Sequence, residues 1–218
     1  MLRADLHLHT RFSFDATLKL ERLLEICSRK GLNCIAVTDH HTIRGAVQFQ
    51  EMAPFRVIVG EEIKTSQGEV IGLFLQEEIP RGLSPLETVR RIKAQGGLVS
   101  IPHPFDRVRR GVITKKGLDE ILPYADIVEA FNARNVFDRD NRRAREMASQ
   151  ENLLVSAVSD SHTPFEPGDT YVEMPEFDGT AQDFKRALVS ASLICHKTTP
   201  LIHVISTTVR IKRRLLGG

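Results

Sequence analysis

Two histidines near the amino terminus have a spacing that suits metal binding. His7 and His9 lie in the segment Asp5-Leu6-His7-Leu8-His9-Thr10. Because alternate residues of a β-strand point to opposite faces, a strand here places both imidazoles on one face and Leu6 and Leu8 on the other. Neutral imidazole nitrogen is a good ligand for zinc, iron, nickel and copper. An isolated pair of this kind is more often a pair of surface or hydrogen-bonded histidines, so its interpretation depends on the rest of the chain.

Further histidines and carboxylates follow other apolar segments, each where a predicted strand ends. The groups are His7 and His9, Asp39 and His40, Glu62, His103, Glu129 with Asn132, and Asp160 with His162. In a parallel barrel the carboxyl ends of the strands meet at one mouth, whereas an open sheet spreads them along an edge. So many carboxylates and imidazoles in one place would repel or need protonation unless cations lay among them. The set contains no cysteine and predicts a centre for zinc, manganese or iron.

The segments that position these residues alternate between strand and helix patterns. Apolar runs such as residues 33–38, 98–101 and 153–158 predict strands covered on both faces, which is typical of a parallel sheet. Residues 84–95 begin with Ser-Pro-Leu-Glu and predict a helix with an N-cap serine, a proline at its first position and a capping box. Residues 70–75 predict a hairpin or an edge strand. The alternation favours an α/β fold, a closed or distorted (β/α) barrel with a metal centre at its mouth.

Composition limits the classes of protein that fit. The chain has 218 residues, of which 41% are apolar and 27% charged, as in an ordinary globular domain. A formal net charge of +2 argues against nucleic-acid binding driven by bulk charge. The cysteines, Cys27, Cys34 and Cys195, form no Cys-x-x-Cys pair and predict free thiols in a reducing compartment. No signal peptide or membrane span is recognisable, so we expect a cytoplasmic protein without a membrane partner.

The chain contains no linker-like segment. We therefore predict one barrel domain over residues 1–200 and a basic carboxyl-terminal tail over residues 201–218. The tail carries a cluster of basic residues, namely Arg210, Lys212, Arg213 and Arg214.

In their order along the chain, the metal-binding groups resemble the successive motifs of the PHP (polymerase and histidinol phosphatase) family. The matching segments are Asp5-x-His7-x-His9, Thr38-Asp39-His40, Gly60-x-Glu62, His103-Pro104 and Ser159-Asp160-Ser161-His162. They span nearly the whole chain, from Asp5 to about Gly168. The resemblance implies a distorted (β/α)7 barrel that is similar to a TIM barrel, carries up to three divalent metal ions and usually has phosphoesterase activity.

The resemblance also implies which residues hold each metal. By position, the first metal would be bound by His7, His9, Glu62 and Asp160, the second by Glu62 and His103, and the third by Asp15, His40 and His162. Two to three divalent ions, zinc, manganese or iron, are therefore expected as cofactors.

The chain departs from the family pattern at the second metal. Related phosphoesterases often carry a histidine in the strand after the bridging glutamate, and here Glu69 stands in its place. A further ligand expected near Asn132 is also not a histidine. The shell of the second metal is thus expected to be completed by Glu69, Asn132 or water, or to bind its metal weakly.

Such a centre predicts metal-assisted hydrolysis of phosphate esters. A hydroxide held between two metals would attack phosphorus while the metals neutralise charge on the non-bridging oxygens. His40 or His41 could protonate the leaving alkoxide, since imidazole has a suitable pKa. His41 has an equally good alternative as a residue that orients a metal ligand.

The phosphate of the substrate also needs donors outside the metals. Arg107, Arg109 and Arg110 follow His103-Pro104-Phe105, and Arg134 lies two residues beyond Asn132. The guanidinium group matches the geometry of phosphate. We take Arg134, Arg107 and Arg110 as substrate-binding candidates, although arginines in such runs are more commonly solvated.

Three functions compete. The first is a phosphatase for a small molecule, either a nucleotide or a phosphorylated metabolite. The second is a nuclease that trims short oligonucleotides; the chain has no tryptophan and two tyrosines, so stacking side chains are few and this function ranks lower. The third is a non-catalytic metal-binding module. Amide or lactone hydrolysis is a weaker fourth, because no predicted strand ends in a lysine that would bridge two metals. The oligomeric state is not indicated by any pattern in the sequence.

Overall fold

The computed structural model describes residues 1–199 together with Ile202 and Thr208. The strands are β1 (Leu2–Leu8), β2 (Cys34–Val37), β3 (Arg56–Thr65), β4 (Gly68–Leu73), β5 (Leu98–Ile101), β6 (Ile127–Asn132), β7 (Leu154–Val158), β8 (Tyr171–Met174) and β9 (Ser192–Ile194). The helices are α1 (Leu20–Lys30), α2 (Arg44–Met52), α3 (Pro85–Ala94), α4 (Lys115–Ile121), α5 (Asp138–Glu151) and α6 (Ala181–Val189). A turn of 3₁₀-helix, Leu122–Tyr124, follows α4.

The strands form one sheet in the order β7-β6-β5-β4-β3-β2-β1-β8-β9. Parallel pairing joins β1 to β2, β2 to β3, β5 to β6 and β6 to β7. Strand β4 is antiparallel to both β3 and β5, so the predicted hairpin is confirmed and lies inside the sheet rather than at its edge. The result is a mixed α/β fold with a nearly closed, distorted barrel, as the sequence predicts.

At the mouth of the barrel, strand β1 bonds to the residues that follow β7. The N–H of His9 donates to the carbonyl of Ser161 at 2.8 Å, and the N–H of Asp160 donates to the carbonyl of His7 at 2.9 Å. At the other end of β1, residues Leu2 to Ala4 pair with β8 instead, in antiparallel orientation. Strand β1 thus joins the end of β7 only beside the metal-binding residues.

Strand β1 departs from simple alternation. The sequence places Leu6 and Leu8 on one face, but Leu6 packs among the residues of β2, β6 and α6, whereas Leu8 packs against α1. The pairing of β1 with β2 shifts register between Asp5 and Leu8, and such an irregularity changes the direction of the side chains. The prediction of a shared leucine face is therefore wrong.

Local signals fix the helix ends. The Ser84 side chain accepts the N–H of Glu87 at 3.2 Å, and Pro85 is the first residue of α3. Helix α1 ends at Gly31, whose φ of 72° belongs to the left-handed region that favours glycine, and whose N–H binds the carbonyl of Cys27. The start of α3 agrees with the sequence prediction.

One buried carboxylate lies at the end of the barrel opposite the mouth. Asp126, just before β6, accepts the N–H of Val99 at 2.8 Å and the ammonium group of Lys185 at 2.8 Å, and it also pairs with Lys93. Burial raises the pKa of Asp126, but the bonds from Lys185, Lys93 and Val99 outweigh burial and lower it. This residue therefore joins three segments as a fully paired anion.

Among the described residues, no helix has the length and apolar character required to cross a bilayer. Strand β8, which pairs with β1, has no counterpart in the sequence prediction. The basic cluster predicted at Arg210, Lys212, Arg213 and Arg214 lies outside the described residues.

Candidate metal centre

The two imidazoles of β1 meet at the barrel mouth. His7 and His9 are completely buried, and their Nε2 atoms lie 2.9 Å apart. His7 Nδ1 is 2.5 Å from Glu129 Oε1, and His9 Nδ1 is 3.1 Å from the hydroxyl of Ser13. Because partners on Nδ1 fix the orientation of each ring, both Nε2 atoms are left to face the centre.

Two carboxylate oxygens approach the same point. Glu62 Oε2 lies 3.4 Å from His7 Nε2 and 3.3 Å from His9 Nε2, and Asp160 Oδ1 lies 3.7 and 3.6 Å from the same two atoms. Both oxygens are buried and accept no hydrogen bond of good geometry from the described residues. Four ligands placed tetrahedrally at about 2.1 Å from a zinc ion would lie about 3.4 Å apart. One ligand atom from each of His7, His9 and Glu62 lies within 4.8 Å of the other two, so these side chains fit a divalent cation, with Asp160 beside the two imidazoles.

A second group of ligands shares Glu62. His103 Nε2 lies 3.0 Å from Glu62 Oε1 and 4.0 Å from Glu69 Oε2. One ligand atom from each of these three residues lies within 4.8 Å of the other two. Glu69 thus stands beside His103, where the sequence left the choice among Glu69, Asn132 and water.

Asn132 has a different position from the one expected of a ligand. Its amide nitrogen donates to Asp160 Oδ2 at 2.9 Å and to Glu129 Oε2 at 2.8 Å. Its side-chain oxygen accepts the N–H of Arg134 at 3.0 Å. The amide therefore orients two carboxylates at the mouth.

A third group lies on the other side of His9. One ligand atom each from His9, His40 and His162 falls within 4.8 Å of the others. Asp15 Oδ2 lies 3.5 Å from His40 Nε2 and 3.6 Å from His162 Nε2. His162 Nδ1 is 2.9 Å from the carbonyl of Asp160, which leaves its Nε2 facing Asp15. The structure thus brings together the residues predicted for the third metal and places them beside His9.

The charges of the centre perturb one another strongly. Burial lowers the pKa of His7, but the carboxylates Asp160, Glu129 and Glu62 outweigh burial and hold it well above its ordinary value. Burial raises the pKa of Glu62, but His7 and His40 hold it well below its ordinary value. The buried carboxylates are therefore stabilised in their charged form by nearby positive charge, which protonated imidazoles or bound cations can provide.

Backbone strain is concentrated at the same place. Outside glycine, five described residues have positive φ, and three of them are His41 (59°), His103 (28°) and Asp160 (53°). Strained backbone of this kind is typical of functional sites. His41 is half-buried, and its ring centroid is 5.8 Å from that of His40, so it lies beside the third group of ligands.

The predicted substrate-binding arginines separate into different environments. Arg109, which the sequence offers as one of four alternatives, places Nη2 2.5 Å from Asp160 Oδ2, and its side chain is 20% exposed. Arg107 points to the rim, where its Nε lies 3.1 Å from Asp140 Oδ1. Arg110 is exposed. Of these three neighbours, Arg109 is the one that contacts a metal-binding residue.

Arg134 lies beneath the mouth rather than on its surface. It is 5% exposed, and its Nη1 donates to Glu166 Oε1 at 3.0 Å. The other oxygen of Glu166 accepts the N–H groups of His162 and Thr163, both at 2.9 Å. Arg134 and Glu166 thus form a buried pair that holds the loop carrying His162.

Sequence reasoning missed the roles of Glu129 and Arg109. Glu129 contacts His7 and also accepts the N–H of His103 at 2.8 Å, so it orients residues from two strands. Its place at a strand end was visible in the sequence, but its partners were not. Nothing in the run Arg107 to Arg110 distinguishes Arg109, because the course of the loop decides which arginine turns inward.

Comparison with known proteins gives the family. The sequence profile of the PHP domain matches residues 5–78, and that of the PHP-associated region matches residues 138–192. Two uncharacterized proteins of Methanocaldococcus jannaschii are related to the chain. One is 40% identical over 146 residues, covering 61% of this chain and 82% of the relative. The other is 33% identical over 213 residues, covering 96% of this chain and 86% of the relative.

Solved structures share the fold. A two-domain protein of Bacteroides vulgatus, described as containing a predicted PHP-like metal-dependent phosphoesterase, superposes with a TM-score of 0.73 at 19% identity, covering 89% of this chain. The chain spans 65% of the length of that protein. Endonuclease Q in complex with a 27-mer duplex that carries an abasic lesion has a TM-score of 0.65 at 14% identity, covering 88% of this chain and 58% of the endonuclease. With its motifs, fold and relatives in agreement, the chain belongs to the PHP domain family.

Proposed function

We propose that this protein hydrolyses phosphate esters of a small molecule, a nucleotide or another phosphorylated metabolite, with two to three divalent cations at the barrel mouth. The convergence of four buried ligand atoms, His7 Nε2, His9 Nε2, Glu62 Oε2 and Asp160 Oδ1, is the observation that carries the proposal. Zinc, manganese and iron suit this mixture of nitrogen and oxygen ligands. When bound, such cations lower the pKa of water and neutralise charge on phosphate oxygens.

In this proposal the phosphate of the substrate contacts Arg109. Its guanidinium group is the partly exposed cation that reaches Asp160, and arginine presents several donors in a geometry that matches phosphate. Arg134 supports the loop of His162 through Glu166 instead. Arg107, which is paired with Asp140, and Arg110 contribute to the positive charge of the rim.

The two neighbouring histidines take different roles. The ring nitrogens of His40 face two carboxylates, Nδ1 at 3.3 Å from Glu62 and Nε2 at 3.5 Å from Asp15, so we assign His40 to the metal ligands. His41 is the candidate for moving a proton near the substrate. Its ring is half-buried beside His40, and its Nδ1 has no hydrogen-bond partner among the described residues.

The proposal is tested by hydrolysis of a panel of phosphomonoesters and phosphodiesters by protein reloaded with Mn²⁺ or Zn²⁺. Phosphate release that depends on added metal and disappears in Glu62→Gln is the expected result. The Arg107→Ala variant, changed at the rim, serves as the control and should keep its activity. A fully metallated protein without turnover on any ester would overturn the proposal in favour of a binding role.

A nuclease acting on short oligonucleotides is the second candidate. Three phenylalanines on mouth loops expose much of their surface, Phe14 (46%), Phe137 (49%) and Phe165 (75%), and exposed aromatic rings stack on bases. Phe14 also stacks on His40, with ring centroids 5.0 Å apart, so its loop borders the metal ligands. Faster cleavage of internal phosphodiesters in short oligonucleotides than of any monoester would favour this candidate.

We also propose a reducing, cytoplasmic location. The support is the state of the cysteines: Cys27, Cys34 and Cys195 are free, and the first two are buried. Burial raises the pKa of Cys27 and of Cys34 to about 12, so both thiols are protonated and unreactive at neutral pH.

A further inference from the structure

We propose that the cluster of Glu62, Glu69 and His103 is an oxygen-rich site that prefers Mn²⁺, or Mg²⁺, while the histidine-rich clusters beside it prefer zinc or iron. The centre would then be a mixed-metal centre. This inference rests on the proposed metal dependence, and it adds a division of metals among sites that share Glu62.

The ligand sets of the clusters differ in kind. Around His7 and His9, two imidazole nitrogens face two carboxylate oxygens. The third cluster offers the imidazoles of His40 and His162 together with the carboxylate of Asp15, since His9 Nε2 already faces the first cluster. Imidazole suits zinc and iron, so both clusters favour these metals.

In the cluster of Glu62, Glu69 and His103 the balance is reversed. It offers two carboxylates and a single imidazole. Carboxylates and water are the ligands that suit manganese and magnesium. The distance of 3.0 Å between His103 Nε2 and Glu62 Oε1 equals about the separation of neighbouring ligands in an octahedron of radius about 2.1 Å. The distance from His103 Nε2 to Glu69 Oε2 is 4.0 Å, slightly less than the about 4.2 Å between two opposite ligands of such an octahedron.

Glu69 is held in this position by the loop that follows β5. Its N–H donates to the carbonyl of Gly111 at 2.8 Å, and its side chain is 12% exposed. A Cβ atom at Gly111 would lie 1.8 Å from Glu69 Oε2 and 2.4 Å from Oε1, so a larger residue there would displace this carboxylate from its position. Strand β4, which carries Glu69, and the loop that contains Gly111 are therefore in direct contact at the glutamate that replaces a histidine of the family pattern.

The test is a competition between metals followed by the electron paramagnetic resonance signal of bound Mn²⁺ and by elemental analysis. Metal-free protein is loaded with an excess of Mn²⁺ and titrated with Zn²⁺. In the unmodified protein, the first two equivalents of Zn²⁺ should bind while about one Mn²⁺ per chain is retained. In Glu69→His, at least tenfold less Zn²⁺ should displace the last Mn²⁺, because the site then offers two imidazoles.

Two further variants separate this effect from general damage. Gly111→Ala leaves every ligand in the chain but pushes against the Glu69 carboxylate, and it should lose Mn²⁺ while keeping Zn²⁺ in the histidine-rich clusters. Glu77→His adds a histidine at an exposed position and should behave as the unmodified protein does.

The outcomes are distinct. Displacement of all Mn²⁺ by the first two equivalents of Zn²⁺, or the same displacement curve in Glu69→His and the unmodified protein, would overturn the mixed-metal centre and leave the proposed hydrolysis intact. A protein that binds neither metal would overturn the proposed function as well.

Discussion

Buried carboxylates lie beyond both ends of strand β6, and in both places they belong to networks of charge. Within the part of the chain that the structure describes, every carboxylate oxygen has a hydrogen-bond partner at one end only. Before the strand begins, Asp126 accepts one backbone N–H and pairs with Lys93 and Lys185. Beyond its other end, at the mouth, Glu62 Oε2 and Asp160 Oδ1 have no hydrogen-bond donor of good geometry among the described residues. Both arrangements bury negative charge, which is costly when unpaired.

The difference separates stability from function. The chain supplies a hydrogen-bond partner for each oxygen of Asp126. We therefore assign this residue to the stability of the fold, as a link between the segments that it joins. At the mouth the chain supplies oriented ligands, such as His7 held by Glu129, but leaves the central oxygens without a hydrogen bond of good geometry from the described residues. An incomplete buried network of this kind is the physical signature of a site for cations.

The largest effect should follow the loss of the shared carboxylate. Glu62→Gln removes a charge that faces the imidazoles of all three ligand clusters, so we expect kcat to fall by about 10²–10³-fold or more and metal content to drop. Assays of kcat and elemental analysis measure both quantities. An active and fully metallated variant would show that Glu62 is not shared between metals.

A smaller effect is expected from Glu129, which touches the ligands rather than the metals. Glu129→Gln weakens the contact that orients His7 and the bond that holds His103, so metal affinity should fall about 10–100-fold. Titration with a metal-sensitive dye measures this change. Unaltered affinity would place Glu129 with Asp126, as a residue that serves the fold alone.

Arg109 and Arg107 form a matched pair on one loop. Arg109→Ala should raise KM for a phosphate ester about 10–100-fold, because it removes a charge-assisted contact worth about 1.5–3 kcal/mol. Arg107→Ala removes a contact with Asp140 at the rim and should leave KM within about twofold. Steady-state kinetics of the two variants at saturating metal make the comparison, and equal KM values would remove Arg109 from the substrate site.

The smallest effect on activity belongs to Asp126. Asp126→Asn should destabilise the fold by about 1–3 kcal/mol and leave kcat and metal content unchanged at 25 °C. Because its folded pKa is lowered, Asp126 adds stability above the ordinary aspartate pKa of about 3.9 and loses it as pH falls through the folded value. Urea unfolding from pH 7 to pH 3 should therefore show the gap between the two proteins shrinking in acid.

Sequence periodicity and capping signals predicted most of the elements. The Ser84 cap and the apolar run of β5 lie where the sequence places them, because both signals are local. Strand β8 was missed: it has only four residues and depends on pairing with the distant β1. The prediction that Leu6 and Leu8 share one face was wrong, because the register shift between β1 and β2 cannot be recognised from the sequence of one strand.

The metal ligands were more predictable than their partners. His7 and Asp160 stand at strand ends, and a barrel gathers strand ends at one mouth. Glu62 was expected at a strand end too, but β3 continues beyond it to Thr65. The contact of Arg109 with Asp160 and the pairing of Arg134 with Glu166 depend on how long loops fold over that mouth. Local sequence carries little information about such loops, so the arginine candidates could not be ranked from it.

The most direct test of the account is elemental analysis of the protein after reconstitution with Zn²⁺ and Mn²⁺, carried out in parallel on Glu62→Gln and Asp126→Asn. The account predicts two or three divalent ions per chain in the unmodified protein and in Asp126→Asn, and fewer in Glu62→Gln. An unmodified protein that binds no metal would contradict the claim that the buried ligands at the mouth are a cation site.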